Sequence, residues 1–330
     1  MNKKTEIVAS YCDTGSPAIA TEMVDNLFKD YMKLMEQSKT KWNEEPILSE
    51  KYIIEHEKAT VCMFCEENFN DEKIKVRHHA WDIEVEYEKI NGIDIVKKSN
   101  YLGASCQGCN LKISLKRATL PVFTHNGSKY DHKFIIKGIN AKKYDSPFII
   151  AKDGEKMIQI QVSKLDKING TRYKMVFRDS FNFLNASLDK LSKSLHDSGK
   201  KMTNLENSLS SMGYSDKVIS MCYRKGVFPY EYIDNISRLN ETKLPDRDKF
   251  YSSLSGQHAS LDDYNFALNL FKEAKCKTIK DYMQLYLKVD VLLLAEVFEN
   301  FRDVIFDNYG LDPAQFLTTP SLAMQAALLK

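Results

Sequence analysis

Four cysteines of this sequence stand in two pairs whose spacing suits a metal ion. Cys62 and Cys65 form the first Cys-x-x-Cys pair, and Cys106 and Cys109 form the second. Structural zinc is bound by four soft ligands at the corners of a tetrahedron, and each pair can supply two thiolates. Two such pairs among seven cysteines rarely arise by chance, so the sequence predicts a structural Zn²⁺ site.

Two histidines between the cysteine pairs offer a second kind of chemistry. An endonuclease of the HNH type would use His78 or His79 as a general base beside a metal-bound phosphate. The other residues of such a nuclease site are not evident in the sequence. We therefore favour a supporting role for both histidines in the zinc-binding fold and keep the endonuclease as an alternative.

Two aspartates could serve a two-metal nuclease, in which carboxylates bind divalent ions roughly 4 Å apart and activate water. Asp131 ends the segment His125-Asn-Gly-Ser-Lys-Tyr-Asp131, which follows a predicted strand at a place where α/β folds put ligands. Asp290 lies four residues after Tyr286 in a predicted helix, so the two side chains share one face. Asp290 also borders the apolar run Val291–Ala295, where a carboxylate is costly without a cation. Each aspartate taken alone is more often a helix cap or a surface charge.

Length and composition bound the class of protein. The chain has 330 residues, of which 43% are hydrophobic and 11% aromatic, enough for two or more folded domains. The net charge of +2 gives no global argument for nucleic acid, so DNA binding would depend on local patches. The sequence has no signal peptide and no membrane-spanning run, and its odd cysteine count argues against a disulfide framework. We expect a soluble, intracellular protein without membrane contact, in the nucleus or the cytoplasm.

The cysteine pairs are expected to flank a β-hairpin that follows a long helix. Ser16-Pro17 supplies a cap and a first-turn proline for an amphipathic helix that extends to Gln37. The predicted apolar face of this helix consists of Ile19, Met23, Leu27, Tyr31 and Leu34. Trp81–Tyr87 alternates apolar and polar residues, and Asn91-Gly92 is a turn signal before a returning strand, Ile93–Val96.

The aspartates are expected in an α/β region that begins at Leu120. The predicted strands are Leu120–Thr124, Met157–Val162 and Tyr173–Phe177, and Asn169-Gly170 is the turn between the last two. The predicted helices are Asp131–Gly138, Leu188–Leu195 and, as the strongest, Thr278–Tyr309. The apolar stripe of this strongest helix consists of Tyr282, Leu285, Leu292, Leu293, Val297 and Phe301. Residues 225–260, rich in Pro, Asp and Ser, are predicted to form an extended excursion.

The order of these motifs resembles that of family B DNA polymerases. The segment His125–Asp131 resembles the second exonuclease motif, Asn-x(2–3)-(Phe/Tyr)-Asp, and Tyr286-x3-Asp290 resembles the third. Lys225-Gly-Val-Phe228 is similar to the Lys-x2-hydrophobic motif of the protein-primed branch. The Ser/Thr-Leu-x2-hydrophobic motif fits two registers, one from Ser180 with Phe in place of Leu and one from Ser187, and both stay open.

The surrounding residues resemble the polymerases of Polinton (Maverick) transposons and related virus-like elements. The segments that carry this likeness are Lys75–His79, Tyr101–Asn110, Lys225–Tyr230, Phe250–Leu254, Tyr286–Phe301 and Tyr309–Pro313. The resemblance covers roughly residues 15–330. It departs from the relatives near residues 78–81, where an Asp-His-Cys-His run is common and His-His-Ala-Trp stands here.

The resemblance implies an α/β (α+β) fold. We expect the mixed sheet of a ribonuclease H-like 3′→5′ exonuclease with flanking helices, and a treble-clef-like zinc module inserted ahead of it. The implied divisions are an N-terminal helical segment of the exonuclease region (1–60), the zinc module (61–115), the exonuclease domain (116–310) and the start of a polymerase region (311–330).

The resemblance also implies roles for individual residues. Asp131 and Asp290 would bind Mg²⁺ or Mn²⁺, and Tyr286 would orient the attacking water or the scissile phosphate. Lys225 would stabilise charge that develops on the phosphate. The residues expected to contact the unpaired 3′ end of DNA are Asn126, Tyr130, Ser180, Ser187 and Leu188. The implied partners are single-stranded 3′ ends, primer–template DNA, a further polymerase part and a terminal protein primer.

Two family features are not found in the sequence. The first exonuclease motif, Asp-x-Glu, is expected before the long helix, and nothing before Cys62 supplies it. Asp82-Ile-Glu84 spells the motif but lies between the cysteine pairs, and we interpret it as a coincidence within the hairpin. No polymerase palm motif follows the last helix. The chain is therefore expected to be the proofreading exonuclease region of a replicative DNA polymerase, without polymerase activity of its own. The alternatives are an inactive DNA-binding remnant, the HNH-like endonuclease, and an α/β scaffold protein with a structural zinc site.

Overall fold

The structure of this chain is a computed structural model that describes residues 17–42, 48–79, 86–90, 93–99, 101–112, 119–140, 142–166, 172–253 and 255–329. The helices are α1 (Pro17–Trp42), α2 (Glu50–Lys58), α3 (Gln107–Lys112), α4 (Asp131–Gly138), α5 (Leu188–Asp197), α6 (Thr203–Ser211), α7 (Asp216–Met221), α8 (Leu261–Glu273), α9 (Ile279–Tyr309) and α10 (Thr319–Leu328). The strands are β1 (Lys75–His79), β2 (Glu86–Ile90), β3 (Ile93–Lys98), β4 (Tyr101–Cys106), β5 (Thr119–Thr124), β6 (Phe148–Ala151), β7 (Met157–Leu165), β8 (Arg172–Asp179), β9 (Tyr251–Ser252) and β10 (Gln257–His258).

A mixed four-stranded sheet, ordered β5-β8-β7-β6, lies at the centre of the α/β region. Strands β5 and β8 are parallel, whereas β7 is antiparallel to both β8 and β6. The three predicted strands and the mixed α/β character are confirmed, and β6 is an addition. In the parallel pair Thr124 stands opposite Asp179, so the loops that follow β5 and β8 begin side by side.

Helix α1 covers this sheet with a face that only partly coincides with the predicted one. Val24, Phe28, Tyr31 and Met35 are buried, and they pack with sheet residues that include Ile160, Tyr173 and Phe177. Of the predicted stripe only Tyr31 is in the buried core, and Leu34 is 57% exposed. Met23 and Leu27 are partly buried and pack against the same cluster, so the predicted face is confirmed in part. Helix α1 has two neighbouring apolar stripes at helical spacing, and contact with the sheet buries the second one more deeply.

Helix α9 is the centre of a second hydrophobic cluster, to which α5, α6, α7 and α8 contribute. Its predicted stripe is confirmed at Tyr282, Leu285, Leu292, Leu293 and Val297, which are all buried. A capping box between Thr278 and Asp281 begins the helix, and Gly310, with φ of 65°, ends it in the left-handed conformation. The described residues between 225 and 260 form short 3₁₀ turns and the small strand pair β9–β10. This agrees with the predicted extended segment without long helices.

A small aromatic cluster joins the sheet to α9. The Phe123 ring of β5 lies 4.1 Å from that of Phe298, and Phe183 contacts both Phe298 and Phe301. Arg178 of β8 donates to the carbonyl of Ala314, beyond the end of α9, with an N···O distance of 2.6 Å. These contacts hold α9 against the edge of the sheet where β5 and β8 end.

The cysteine segment contains two antiparallel strand pairs. Strands β2 and β3 form a hairpin at the predicted place, with Ile90 opposite Ile93. Its first strand begins at Glu86, and residues 81–85 of the predicted strand Trp81–Tyr87 lie outside the described residues. Strands β1 and β4 form an outer pair that was not predicted. The turns at Asn91-Gly92 and Asn169-Gly170, the helix cap at Ser16 and the Asp82-Ile-Glu84 sequence lie outside the described residues. No helix in the described part of the chain is long and apolar enough to cross a bilayer.

Candidate functional site

The loop after β5 places Asp131 at the first turn of α4. Asn126 adopts a left-handed conformation with φ of 60°, and a short 3₁₀ turn over Gly127–Lys129 leads into the helix. A Cβ atom on Gly127 would collide with the Thr124 side chain and lie 3.1 Å from Oδ2 of Asp131. Only glycine therefore fits at this position, and the loop packs directly against the Asp131 carboxylate.

The buried carboxylate of Asp179, at the end of β8, binds this loop. Its Oδ1 accepts hydrogen bonds from the backbone N–H groups of Asn126 (2.7 Å) and Phe181 (3.0 Å). Its Oδ2 accepts one from the N–H of Ser128 (3.0 Å). Burial raises the pKa of Asp131, and the nearby charge of Asp179 raises it further. Asp131 nevertheless keeps part of its side chain open to solvent, as a ligand for a diffusing ion must.

The predicted DNA-contacting residues occupy different environments. Ser180 is fully buried, and its Oγ donates to the carbonyl of Thr124 and lies 2.9 Å from Nδ1 of His125. Ser187 is the exposed N-cap of α5, and Leu188 belongs to the helical core. Asn126 and Tyr130 are exposed, Tyr130 to 66%, so both can contact a ligand directly.

A second group of site residues forms on α9. Nζ of Lys225 lies 3.0 Å from Oδ2 of Asp290, and it also lies over the ring of Tyr286. The ring of Tyr230 packs edge-on against that of Tyr286 at 5.9 Å. The structure thus brings together the three residues of this group that the sequence indicated, Lys225, Tyr286 and Asp290.

Burial dominates the electrostatics of this second group. It raises the pKa of Asp290, against the opposing influence of Lys225 and the Tyr286 hydroxyl. Burial, the charge of Asp290 and the proximity of Tyr230 all raise the pKa of Tyr286. At neutral pH Tyr286 is therefore a neutral hydroxyl that can donate a hydrogen bond.

The two aspartates fit a divalent cation only in part. Oδ1 of Asp290 is buried without a hydrogen-bond partner, so its lone pairs are available to a hard ion such as Mg²⁺. Asp131 offers a second, partly open carboxylate. In the described ranges, however, the four cysteines are the only set of three or more potential ligands that converges within bonding distance of one ion. Each aspartate can contribute a ligand, but a complete two-metal set is not assembled there.

The four cysteines do converge, as the sequence predicted. Their Sγ atoms all lie within 4.8 Å of one another, and a tetrahedral zinc with Zn–S bonds of about 2.3 Å needs sulfurs roughly 3.8 Å apart. Cys62 and Cys65 lie in a tight turn, Cys106 ends β4, and Cys109 lies in α3. The N–H of Cys106 points at Sγ of Cys62 (3.2 Å). Burial opposes ionisation of Cys62, but the N–H groups around it outweigh burial and lower its pKa to about 6. The donor set fits zinc.

The two histidines of the cysteine segment have unequal surroundings. Nδ1 of His78 lies 2.8 Å from Oδ1 of Asn110, in α3, and its ring packs edge-on against Phe64. Nε2 of His79 is buried without a hydrogen-bond partner. His78 therefore has a supporting contact between β1 and α3, whereas the imidazole of His79 keeps an unused nitrogen.

Sequence reasoning did not identify two residues of these groups. No role was predicted for Asp179, because a carboxylate at the end of a strand belongs to no motif with a distinctive spacing. Tyr230 lies in the quoted segment Lys225–Tyr230, and its exposed ring beside Tyr286 was not anticipated. An exposed aromatic five residues after a candidate phosphate ligand is the signal that could have indicated it.

Comparison with known proteins found one family and one relative that this chain resembles. A family model described as DNA polymerase type B, organellar and viral, matches residues 112–326. A protein of Neurospora intermedia described as a probable DNA polymerase is 26% identical over 204 residues, which are 61% of this chain and 18% of that relative. The chain thus corresponds to less than a fifth of that relative's length. None of the known structures is a significant match.

Proposed function

Because this chain belongs to the family of organellar and viral type B DNA polymerases, we propose that it forms the 3′→5′ exonuclease region of a protein-primed replicative polymerase. Its α/β part would be a ribonuclease H-like exonuclease domain, and its cysteine segment a treble-clef-like module with structural zinc. The observation that carries the proposal is the grouping of Lys225, Tyr286 and Asp290, with an unused oxygen on Asp290.

The proposed substrate is the unpaired 3′ end of a DNA strand. Asp131 and Asp290 would hold Mg²⁺ or Mn²⁺, which, when bound, would neutralise phosphate charge and lower the pKa of a water molecule. The ammonium of Lys225 is close enough to Asp290 to contact a phosphate bound beside it. The neutral hydroxyl of Tyr286 can donate to the attacking water or to a phosphate oxygen.

The exposed rings near the two aspartates suit a single strand. Tyr130 adjoins Asp131 and contacts Phe134 at 4.9 Å, and Tyr230 adjoins Tyr286 at 5.9 Å. Bases of single-stranded DNA stack on such rings without regard to sequence. The polar side chain of Asn126 is exposed on the same loop as Asp131. These residues would hold the terminal nucleotides while the last phosphodiester is hydrolysed.

Degradation of single-stranded DNA labelled at its 5′ end tests the proposal. The purified chain should shorten the DNA stepwise in Mg²⁺ or Mn²⁺, and Asp131→Asn and Asp290→Asn should each reduce the rate at least about a hundredfold. Asp153→Asn is a matched control, since Asp153 lies in an exposed turn. A folded wild-type chain that binds the DNA without shortening it would instead identify an inactive DNA-binding remnant.

The unpartnered Nε2 of His79, at the end of β1, favours a second candidate, an HNH-like endonuclease. The contact between His78 and Asn110 would then stabilise the module that presents this imidazole. Nicking of supercoiled plasmid DNA tests this candidate. Nicking that is lost in His79→Ala and retained in Asp290→Asn would support it, and the absence of nicking would reject it.

A further inference from the structure

We propose that Asp179 is the positioning residue of the loop that carries Asn126 and Asp131. Its carboxylate would set the place of Asp131 by holding the backbone of two loops at once. The catalytic consequence rests on the proposed exonuclease function, whereas the effect on the loop does not.

The Asp179 carboxylate is buried without a charged partner among the described residues. Asp179 is 1% exposed, and no basic side chain in the described part of the chain forms an ion pair with it. A buried carboxylate is costly unless hydrogen bonds satisfy it. Three backbone N–H groups, those of Asn126, Ser128 and Phe181, supply these bonds at 2.7–3.0 Å. All the described hydrogen bonds of the buried Asp179 carboxylate thus come from backbone N–H groups.

The N–H groups that donate to Asp179 come from two different loops. Asn126 and Ser128 follow β5, and Phe181 follows β8, so the carboxylate connects two segments that are distant in the sequence. The parallel pairing of Thr124 with Asp179 places the carboxylate directly beside the loop after β5. Hydrogen bonds between a charged group and N–H groups are stronger than neutral ones, so the loop has little freedom to shift.

The loop after β5 packs closely against Asp131. Gly127 lies between Asn126 and Ser128, two of the three residues that donate to Asp179, and a Cβ atom there would lie 3.1 Å from Oδ2 of Asp131. The backbone that Asp179 holds is therefore the surface against which the Asp131 carboxylate packs. A shift of the Asn126 or Ser128 backbone would therefore also displace the Asp131 carboxylate, although residue 131 is not substituted.

The test compares Asp179→Asn with wild type and with the control Asp153→Asn. Asp153 also accepts two backbone N–H groups, from Glu155 and Lys156, but lies in an exposed turn. Amide hydrogen exchange measured by NMR should become at least about tenfold faster at Asn126 or Ser128 in Asp179→Asn, with β7 unchanged. Exonuclease kcat should fall about tenfold to a hundredfold while KM stays within about twofold, because the ligand is misplaced rather than lost.

The outcomes separate this inference from the proposed function. If wild type does not cleave DNA, the exonuclease proposal fails, and exchange at Asn126 and Ser128 still decides the role of Asp179. Exchange unchanged in Asp179→Asn would overturn the positioning role. So would an active enzyme whose kcat falls no further than in Asp153→Asn.

If Asp179→Asn does not fold, the same measurements on Ser128→Pro test the positioning role of Asp179. It removes the N–H that donates to Oδ2 and leaves the carboxylate in place. Faster exchange at Asn126, with a lower kcat where wild type is active, would support the role. Wild-type exchange at Asn126 would overturn it.

Discussion

Nζ of Lys225 lies 3.0 Å from Oδ2 of Asp290, while Oδ1 of the same carboxylate is buried without a hydrogen-bond partner. One oxygen is thus neutralised by the chain itself and the other is left available. Because a buried carboxylate oxygen without a hydrogen bond is unfavourable, the arrangement is explained best by a ligand that completes it.

Lys225→Met should lower both stability and activity. Removing the ammonium leaves the Asp290 carboxylate without its cation, and since the pair is only partly buried we expect a loss of about 1–2 kcal/mol in the free energy of unfolding. Exonuclease kcat/KM should fall about a hundredfold or more because the phosphate loses a positive contact. Denaturant unfolding and the DNA-shortening assay measure the two effects.

The control for this change is Lys217→Met, which breaks a more exposed pair with Glu273. Its effect on unfolding should stay below about 1 kcal/mol, and activity should be unchanged. Equal effects of the two substitutions would contradict a special role for the Lys225–Asp290 pair.

Glu296 should make stability depend on pH. Its buried carboxylate accepts the N–H of Leu205 at 2.8 Å, at the start of α6, and burial raises its pKa. A carboxyl group whose pKa is higher in the folded state favours folding below its unfolded pKa, and this contribution is lost as pH rises through the folded pKa. Wild type should therefore gain stability relative to Glu296→Gln as pH falls from 7 towards 4.

Denaturant unfolding of both proteins at several pH values measures this difference. Glu155→Gln, at an exposed turn, should follow wild type throughout the range. A difference between wild type and Glu296→Gln that is constant with pH would show that the raised pKa has no effect on folding.

The cysteine cluster should bind one zinc ion per chain. Elemental analysis should detect this zinc, and Cys65→Ser or Cys109→Ser should reduce it because a thiolate ligand is lost. Cys222→Ala is the control, since Cys222 is buried in the helical cluster and should leave the zinc content unchanged. A strong chelator should increase amide exchange in β1 and β4 while the amides of α9 stay protected. Full zinc content in Cys109→Ser would contradict this site.

Gly138→Ala should separate α1 from α4. A Cβ atom at Gly138 would lie 2.5 Å from the backbone of Ala20, so the two helices approach each other too closely for any side chain. We expect a loss of about 1–3 kcal/mol in the free energy of unfolding. Gly154→Ala, where nothing lies within 4 Å of the added atom, should change it by less than about 0.5 kcal/mol. Thermal or denaturant unfolding distinguishes the two, and similar values would contradict the close approach.

Motif spacing correctly predicted which residues lie close together where they are near one another in the chain. Tyr286 and Asp290 are one helical turn apart, and Cys62 and Cys65 are two members of one tight turn, so short-range geometry is sufficient for both pairs. Helix α9 was predictable because its cap residue Thr278, its terminal Gly310 and its long apolar stripe agree with one another.

Features that depend on distant pairing were not predictable from spacing. The role of Asp179 requires that β5 and β8 pair in parallel with Thr124 opposite it, which no local pattern encodes. The buried face of α1 likewise depends on which stripe meets the sheet. Val24 and Phe28 are buried more deeply than Met23 and Leu27 because of contacts between elements far apart in the chain.

Helix α9 has 31 residues and is therefore about 46 Å long, and it contains both Asp290 and the phenylalanines that hold it to the sheet. Asp290 precedes Phe298 by about 12 Å along one continuous rod. The angular place of the carboxylate is thus fixed by the count of residues between them. One inserted residue between Asp290 and Phe298 would turn Asp290 by about 100° away from Lys225 while leaving every side chain of the site chemically intact. In this protein the number of residues in a helical segment therefore determines the geometry of the candidate site.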